Sequence, residues 1–114
     1  MEIRIINVRG MTPRPDVTYV GREFGGWPGS PLANPYAMSK GYSRNGSVQL
    51  FRGLLWVEYH KFLRPRWDEI DRLSKLLVVN GSLTLGCWCY PARCHAEVIR
   101  SAIQWRLESE VRSS

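Results

Sequence analysis

Residues 2–8 alternate weakly between polar and apolar side chains, with Ile3, Ile5, Ile6 and Val8 apolar, and predict a β-strand. Pro13 and Pro15 then force an extended or turning path, after which residues 17–20 make a second short strand that stops at Gly21. Further on the apolar period lengthens. Val48, Leu50, Phe51, Leu54, Leu55, Val57 and Tyr59 give a broad apolar face, so a helix is expected from an N-cap at Ser47 to about Phe62, with Gly53 weakening it only slightly. Pro65 suits the first turn of a second helix, which carries Trp67, Ile70, Leu73, Leu76 and Leu77 at helical spacing and ends at Asn80-Gly81. Residues 82–88 read as a buried strand and residues 90–93 as a turn. Cys94 or His95 opens a last helix reaching about Glu108, with Val98, Ile99, Ala102, Ile103 and Trp105 on its packing face.

The order β-β-α-α-β-α predicts an α/β fold: a small Rossmann-like open sheet of about three parallel strands flanked by helices, in a single domain over residues 1–114. Between the second strand and the first helix lies a long loop rich in glycine and proline, residues 22–46, and a loop of that length is functional or mobile. In open parallel sheets ligands bind beyond the carboxyl ends of the strands. Both this loop and the turn after residue 88 leave from such ends, so the two segments are expected to face each other.

Composition narrows the classes. A chain of 114 residues, 44% of them hydrophobic, has enough apolar surface to fold without help. The formal charge is +6, and 13 of the 16 basic residues are arginines, which suit bidentate contact with phosphate or carboxylate. They are scattered and form no basic tail. No apolar stretch reaches the roughly 20 residues of a membrane span, and the N-terminus does not resemble a secretion signal, so no membrane association is expected. Three cysteines crowded between residues 87 and 94 are a poor disulfide framework and point to a reducing, cytoplasmic setting.

The chemistry concentrates in Cys87-Trp88-Cys89-Tyr90-Pro91-Ala92-Arg93-Cys94-His95. Cys87 and Cys89 alternate on one strand and share a face, which turns Trp88 the other way, toward the core. One alternative joins Cys87, Cys89, Cys94 and His95 as four ligands of a structural zinc. Against it, adjacent helical residues such as Cys94 and His95 diverge by about 100°. No metal cofactor is therefore favoured. The competing reading puts Cys94 at a helix N-terminus, where free amides lower a thiol pKa and hold anions, so that Cys94 is reactive and open to alkylation, with His95 as its acid or base. Arg22 is expected to clamp a phosphate or carboxylate, Asn34 to read an amide or base edge, and Cys89 to face the same ligand. Asn34 before Pro35 also has the simpler use of starting a turn. Trp27, Trp88 and Tyr90 are candidates for stacking on a base, whereas Trp56, Trp67 and Trp105 read as core. His60, near a helix end, reads as a capping or packing residue. No nucleotide triphosphate motif is present.

Leu85-Gly86-Cys87-Trp88-Cys89-Tyr90-Pro91-Ala92-Arg93-Cys94-His95-Ala96-Glu97-Val98 resembles the signature L-x-C-x-C-x-P-x-x-C-H-x-x-V of domain of unknown function family 4326, small proteins of phages and bacteria. Val20-Gly21-Arg22 is similar to that family's Ile-Gly-Arg. Ala33-Asn34-Pro35-Tyr36 is similar to its Gly-Asn-Pro-Phe, with Ala33 and Tyr36 as departures. A broader family with a strand cysteine followed by Cys-His-Arg is more distantly similar, with Ala96 at its arginine position. Because it lacks the middle cysteine, that resemblance implies a pocket and not a three-cysteine metal cage.

Three functions follow as expectations. The first is a pocket for a nucleotide-like or nucleobase-like ligand built by Arg22, Asn34, Cys89, Cys94 and His95, with transferase or glycosidase chemistry. The second is a non-enzymatic protein of a bacterium or a phage-infected host cell that binds a host protein or nucleic acid. The third is the zinc module.

Overall fold

The computed structural model describes residues 1–36 and 38–113, apart from the side chains of residues 39 and 110–113. Its elements are β1 (Glu2–Asn7), β2 (Thr18–Tyr19), a 3-10 turn (Met38–Lys40), α1 (Arg44–His60), α2 (Arg64–Asn80), β3 (Ser82–Cys87) and α3 (His95–Ser113). The three strands form a parallel sheet in the order β1-β3-β2. β1 pairs with β3 from Glu2 opposite Ser82 to Asn7 opposite Cys87, and β2 meets β3 only at Thr18–Leu85 and Tyr19–Gly86. The α/β fold with a three-stranded parallel sheet is as the periodicity predicts.

Each face of the sheet buries its own cluster. Ile5, Leu83, Leu85 and Cys87 pack against the three helices, while Val8, Val17, Tyr19 and Trp27 close the opposite face beneath the loops. Gly86 lies under that second cluster, and a Cβ there would come within 2.6 Å of Val8 Cγ1 and 2.9 Å of Val17 Cγ1, so the close approach of three chain segments requires glycine. Among the helices, Trp56, Tyr59, Trp67 and Trp105 interlock with ring centroids 4.9–6.2 Å apart. The Trp67 indole donates to the Leu55 carbonyl at 2.7 Å, which settles the polar end of a fully buried ring.

Several boundaries differ from those expected. α1 begins at Arg44 because the Ser43 hydroxyl accepts the Gly46 amide at 3.0 Å, which makes Ser43 the cap and leaves Ser47 inside the helix. It ends at His60 because Phe62 adopts φ 56°, letting the Leu63 amide reach back to the Glu58 carbonyl at 2.9 Å. α2 starts one residue before Pro65 and stops where Gly81, at φ 77°, returns its amide to the Leu77 carbonyl. α3 runs past Glu108 to Ser113, and β2 shrinks to two residues. Among the described residues no helix is long and apolar enough to cross a membrane.

Candidate functional site

The chain leaves β2 through Val20-Gly21-Arg22, and all three carbonyls are held. The Val20 carbonyl meets His95 Nε2 at 2.7 Å, the Gly21 carbonyl accepts the Ser30 amide at 3.0 Å, and the Arg22 carbonyl accepts the Tyr19 hydroxyl. Tyr19 is itself fixed by the Trp88 indole, which donates to its oxygen at 2.7 Å. A side chain at Gly21 would strike that hydroxyl at 2.5 Å, so glycine is needed for the loop to turn over the sheet. No acceptor engages the amides of Gly21 and Arg22 among the described residues.

The second wall comes from β3. Asn7, at the end of the neighbouring strand, donates to the carbonyls of Trp88 and Tyr90 at 3.2 and 2.7 Å and so holds the turn that follows Cys87. The turn contains a cis Tyr90–Pro91 peptide and delivers Cys94 to the capping position of α3. There the Cys94 amide donates to the Glu97 carboxylate at 3.3 Å, and the Glu97 amide returns a bond to the Cys94 carbonyl at 3.2 Å. Serine or threonine usually occupies the capping place in such a box.

Between these walls is a cavity of about 250 Å³. Arg22, Asn34, Cys89, Cys94 and His95, the five residues expected from the sequence to share a ligand, all line it. Arg44, Ser47, Cys87 and Arg93 join them. Arg44 and Arg93 brace each other's segments, Arg44 donating to the Arg93 carbonyl at 3.2 Å and Arg93 to the Asn45 side chain at 3.5 Å. Arg22 is exposed, and its guanidinium has no hydrogen-bond or carboxylate partner among the described residues. Among the described residues no aspartate or glutamate lines the cavity.

The thiols are arranged otherwise than expected. Cys94 is 3% exposed and Cys87 is 2% exposed, with their sulfurs 3.2 Å apart, so Cys94 is not an open, alkylatable thiol. Its pKa is pushed up, first by its hydrogen bond to Cys87 and then by burial, which outweigh the opposing bond from the Ala96 amide. The reverse holds for Cys87. Its hydrogen bond with Cys94 comes first, and the Tyr90 and Cys89 amides add to that against burial, holding its pKa down to about 6. The contact between the two sulfurs thus favours ionisation at Cys87 over Cys94. Cys89 is half-buried at the cavity wall.

His95 is neutral, its pKa lowered by burial against the opposing bond to Val20. In that state Nε2 carries the hydrogen given to Val20, and Nδ1 keeps its lone pair with no partner among the described residues. Phe51 packs edge-on against the ring at 5.1 Å. The four residues of the zinc alternative do not converge: Nε2 of His95 is turned to Val20, and no group of three or more His, Cys, Asp or Glu side chains able to hold a metal ion occurs among the described residues.

Other expectations shift as well. The Asn34 side chain is engaged on both ends, donating to Ser47 Oγ at 2.8 Å and accepting the Tyr36 amide at 2.9 Å, so it anchors the long loop to α1 and forms a turn. Trp27 is buried with its indole donated to the Met11 carbonyl, and Tyr90 lies outside the cavity wall, so neither stacks on a ligand there. Trp88 packs into the cluster opposite Cys87, as strand alternation predicts, while also bordering the cavity. Sequence reasoning missed Arg44, Ser47 and Arg93 in the cavity wall and singled out Cys87 only as a zinc-ligand candidate. Of these, only Cys87 gave a signal, through its alternation with Cys89.

A family model described as Domain of unknown function (DUF4326) matches residues 3–105, a span that contains the whole cavity wall. No curated protein and no solved structure gives a significant match.

Proposed function

The chain belongs to the DUF4326 family, and from its own residues we propose that the cavity at the carboxyl ends of β2 and β3 binds a small anionic ligand of nucleotide-like chemistry. One observation carries this reading: Arg22, Arg44 and Arg93 converge on the cavity with no carboxylate in its wall among the described residues. Guanidinium forks pair with phosphate or carboxylate oxygens, and an uncompensated cluster concentrates anions. The free amides of Gly21 and Arg22 supply further donors beside it. At about 250 Å³ the space falls just below the usual range of small-molecule pockets, which suits a sugar phosphate or one end of a nucleotide. Trp88, Val48 and Met38 offer the apolar surface that a base or sugar face needs. His95, with Nδ1 free, supplies a proton acceptor for group transfer of the transferase or glycosidase kind. Cys94 acts in this reading through Cys87, and no metal takes part.

The test is a thermal-shift panel of inorganic phosphate, nucleosides, and nucleoside mono- and diphosphates on the pure protein. Phosphorylated members are expected to raise Tm by several degrees, and Arg22→Ala or Arg93→Ala to abolish most of the shift. Silence across the panel, or equal stabilisation by uncharged nucleosides, rejects the anion site.

A second reading rests on the groove between α1 and α3, where Arg52 and Arg100 continue the positive surface beyond Arg93. Such a stripe supports binding of nucleic acid or an acidic face of a host protein. Retention on RNA or DNA that does not weaken between low and physiological salt removes the nucleic-acid version.

A further inference from the structure

We propose that Cys87 and Cys94 form a dithiol that reacts with hydroperoxides and closes to a reversible disulfide at the floor of the cavity. Their sulfurs are 3.2 Å apart, and a disulfide bond is about 2.05 Å long, so closure asks for only about 1.2 Å of sulfur movement. Cys87 ends β3 and Cys94 precedes α3, and the turn joining them is exposed from Tyr90 to Arg93. Both residues are only 2–3% exposed, and both border the cavity, which is the route a molecule as small as hydrogen peroxide would take to them. The third thiol, Cys89, borders the same space and makes no contact with another sulfur.

The surroundings divide the labour between the two thiols. Cys87 shares a hydrogen bond with Cys94 and also lies against the amides of Cys89 and Tyr90, so negative charge is stabilised on Cys87 and it attacks first. Its thiolate displaces hydroxide from the peroxide O–O bond, giving a sulfenic acid on Cys87, and the hydroxide takes up a proton as water. The Cys94 sulfur then attacks the Cys87 sulfur, the S–O bond breaks, and the departing hydroxide leaves as a second water with the Cys94 proton. Two thiols are oxidised by two electrons and one hydroperoxide is reduced; an external thiol restores the dithiol by exchange. This use of the cavity floor is independent of the anion site, and it survives or fails without reference to any ligand.

The fully reduced chain is treated with one equivalent of hydrogen peroxide, unfolded, alkylated with iodoacetamide and digested with trypsin. Cleavage after Arg93 separates residues 76–93, which carry Cys87 and Cys89, from residues 94–100, which carry Cys94. These two peptides are expected to remain joined, with a single alkyl group on Cys89, and to part on reduction. Cys89→Ser is expected to leave the linkage intact. In Cys94→Ser, where serine is a good helix cap and preserves the fold, the linkage is lost and dimedone traps a sulfenic acid on Cys87. The proposal is overturned if all three thiols alkylate after peroxide, if Cys89→Ser abolishes the linkage, or if dimedone in Cys94→Ser labels Cys89 instead of Cys87.

Discussion

His95 donates its Nε2 hydrogen to the carbonyl oxygen of Val20 at 2.7 Å, tying the first turn of α3 to the end of β2 across 75 positions of sequence. Because the native pKa is depressed, chiefly by burial, the stability this histidine contributes is complete above its unfolded value of about 6.5 and is lost as pH falls through the lower native value. Nitrogen NMR is expected to show the Nε2–H tautomer at neutral pH and a protonation midpoint below that of an unfolded histidine. A midpoint at or above it contradicts the buried bond. His95→Phe keeps a ring against Phe51 but strands the Val20 carbonyl, which should cost about 1–3 kcal/mol in urea unfolding.

The thiol pair predicts a second pH dependence. With the Cys87 pKa held near its native value of about 6 by the Cys94 donor, the folded chain carries one proton fewer than the unfolded chain up to an unfolded thiol pKa of about 8.5. Stability therefore rises with pH across that window. Above it the unfolded chain also loses the proton that folded Cys94 retains, and stability turns down. The reduced protein should melt highest at about pH 8.5, and Cys87→Ala should flatten the climb. A climb of the same slope in the variant would assign it to other groups.

Metal removal gives a third test. With His95 Nε2 committed to Val20 and the Cys87 and Cys94 sulfurs facing each other, elemental analysis should find well under one zinc per chain, and a chelator should leave Tm unchanged. One equivalent of zinc whose removal lowers Tm would mean that the turn is organised by metal.

At Gly86 even a methyl group has no room. Gly86→Ala should destabilise by about 1–3 kcal/mol, and adding Val8→Ala should recover part of the loss, because the two side chains would contest the same space. Additive losses in the double variant would place the clash elsewhere.

Phe62 presents the opposite case, a bulky residue at φ 56° that is 82% exposed. Glycine removes the left-handed penalty and forfeits little packing, so Phe62→Gly should stabilise by about 0.5–1 kcal/mol in urea unfolding. A loss of stability would show that the exposed ring is held by contacts of its own.

Element order, the parallel sheet and the meeting of the Arg22 loop with the Cys94-His95 turn were all legible, since hydrophobic period and strand direction determine them. Distant contacts decided the rest. Ser43 and Ser47 are equally good caps by residue type; Asn34, 13 positions away, recruits Ser47 into the helix wall. Cys94 reads as an activated thiol when only its helix is considered, and it is the nearby Cys87 sulfur that reverses the order of ionisation. Trp27 sits in a glycine-rich loop that suggests exposure, yet the Met11 carbonyl draws its indole into the core. Arg44 and Arg93 carry no local sign of function and gain one only when α1 and the final turn come together.

In the strand order β1-β3-β2, the outer strands do not pair with each other, and each pairs with β3. β3 is also the last strand in the chain, at Ser82–Cys87. A nascent chain leaving the ribosome therefore has no sheet to form until Ser82–Cys87 has been made, and β1 must wait for a partner 80 positions later. During that interval α1 and α2 can pair only with each other, leaving Phe51, Leu55 and Leu77 without the strands they will cover. The same central strand that brings the cavity's two walls together thus sets the moment in synthesis before which the chain is most exposed to aggregation and chaperone capture.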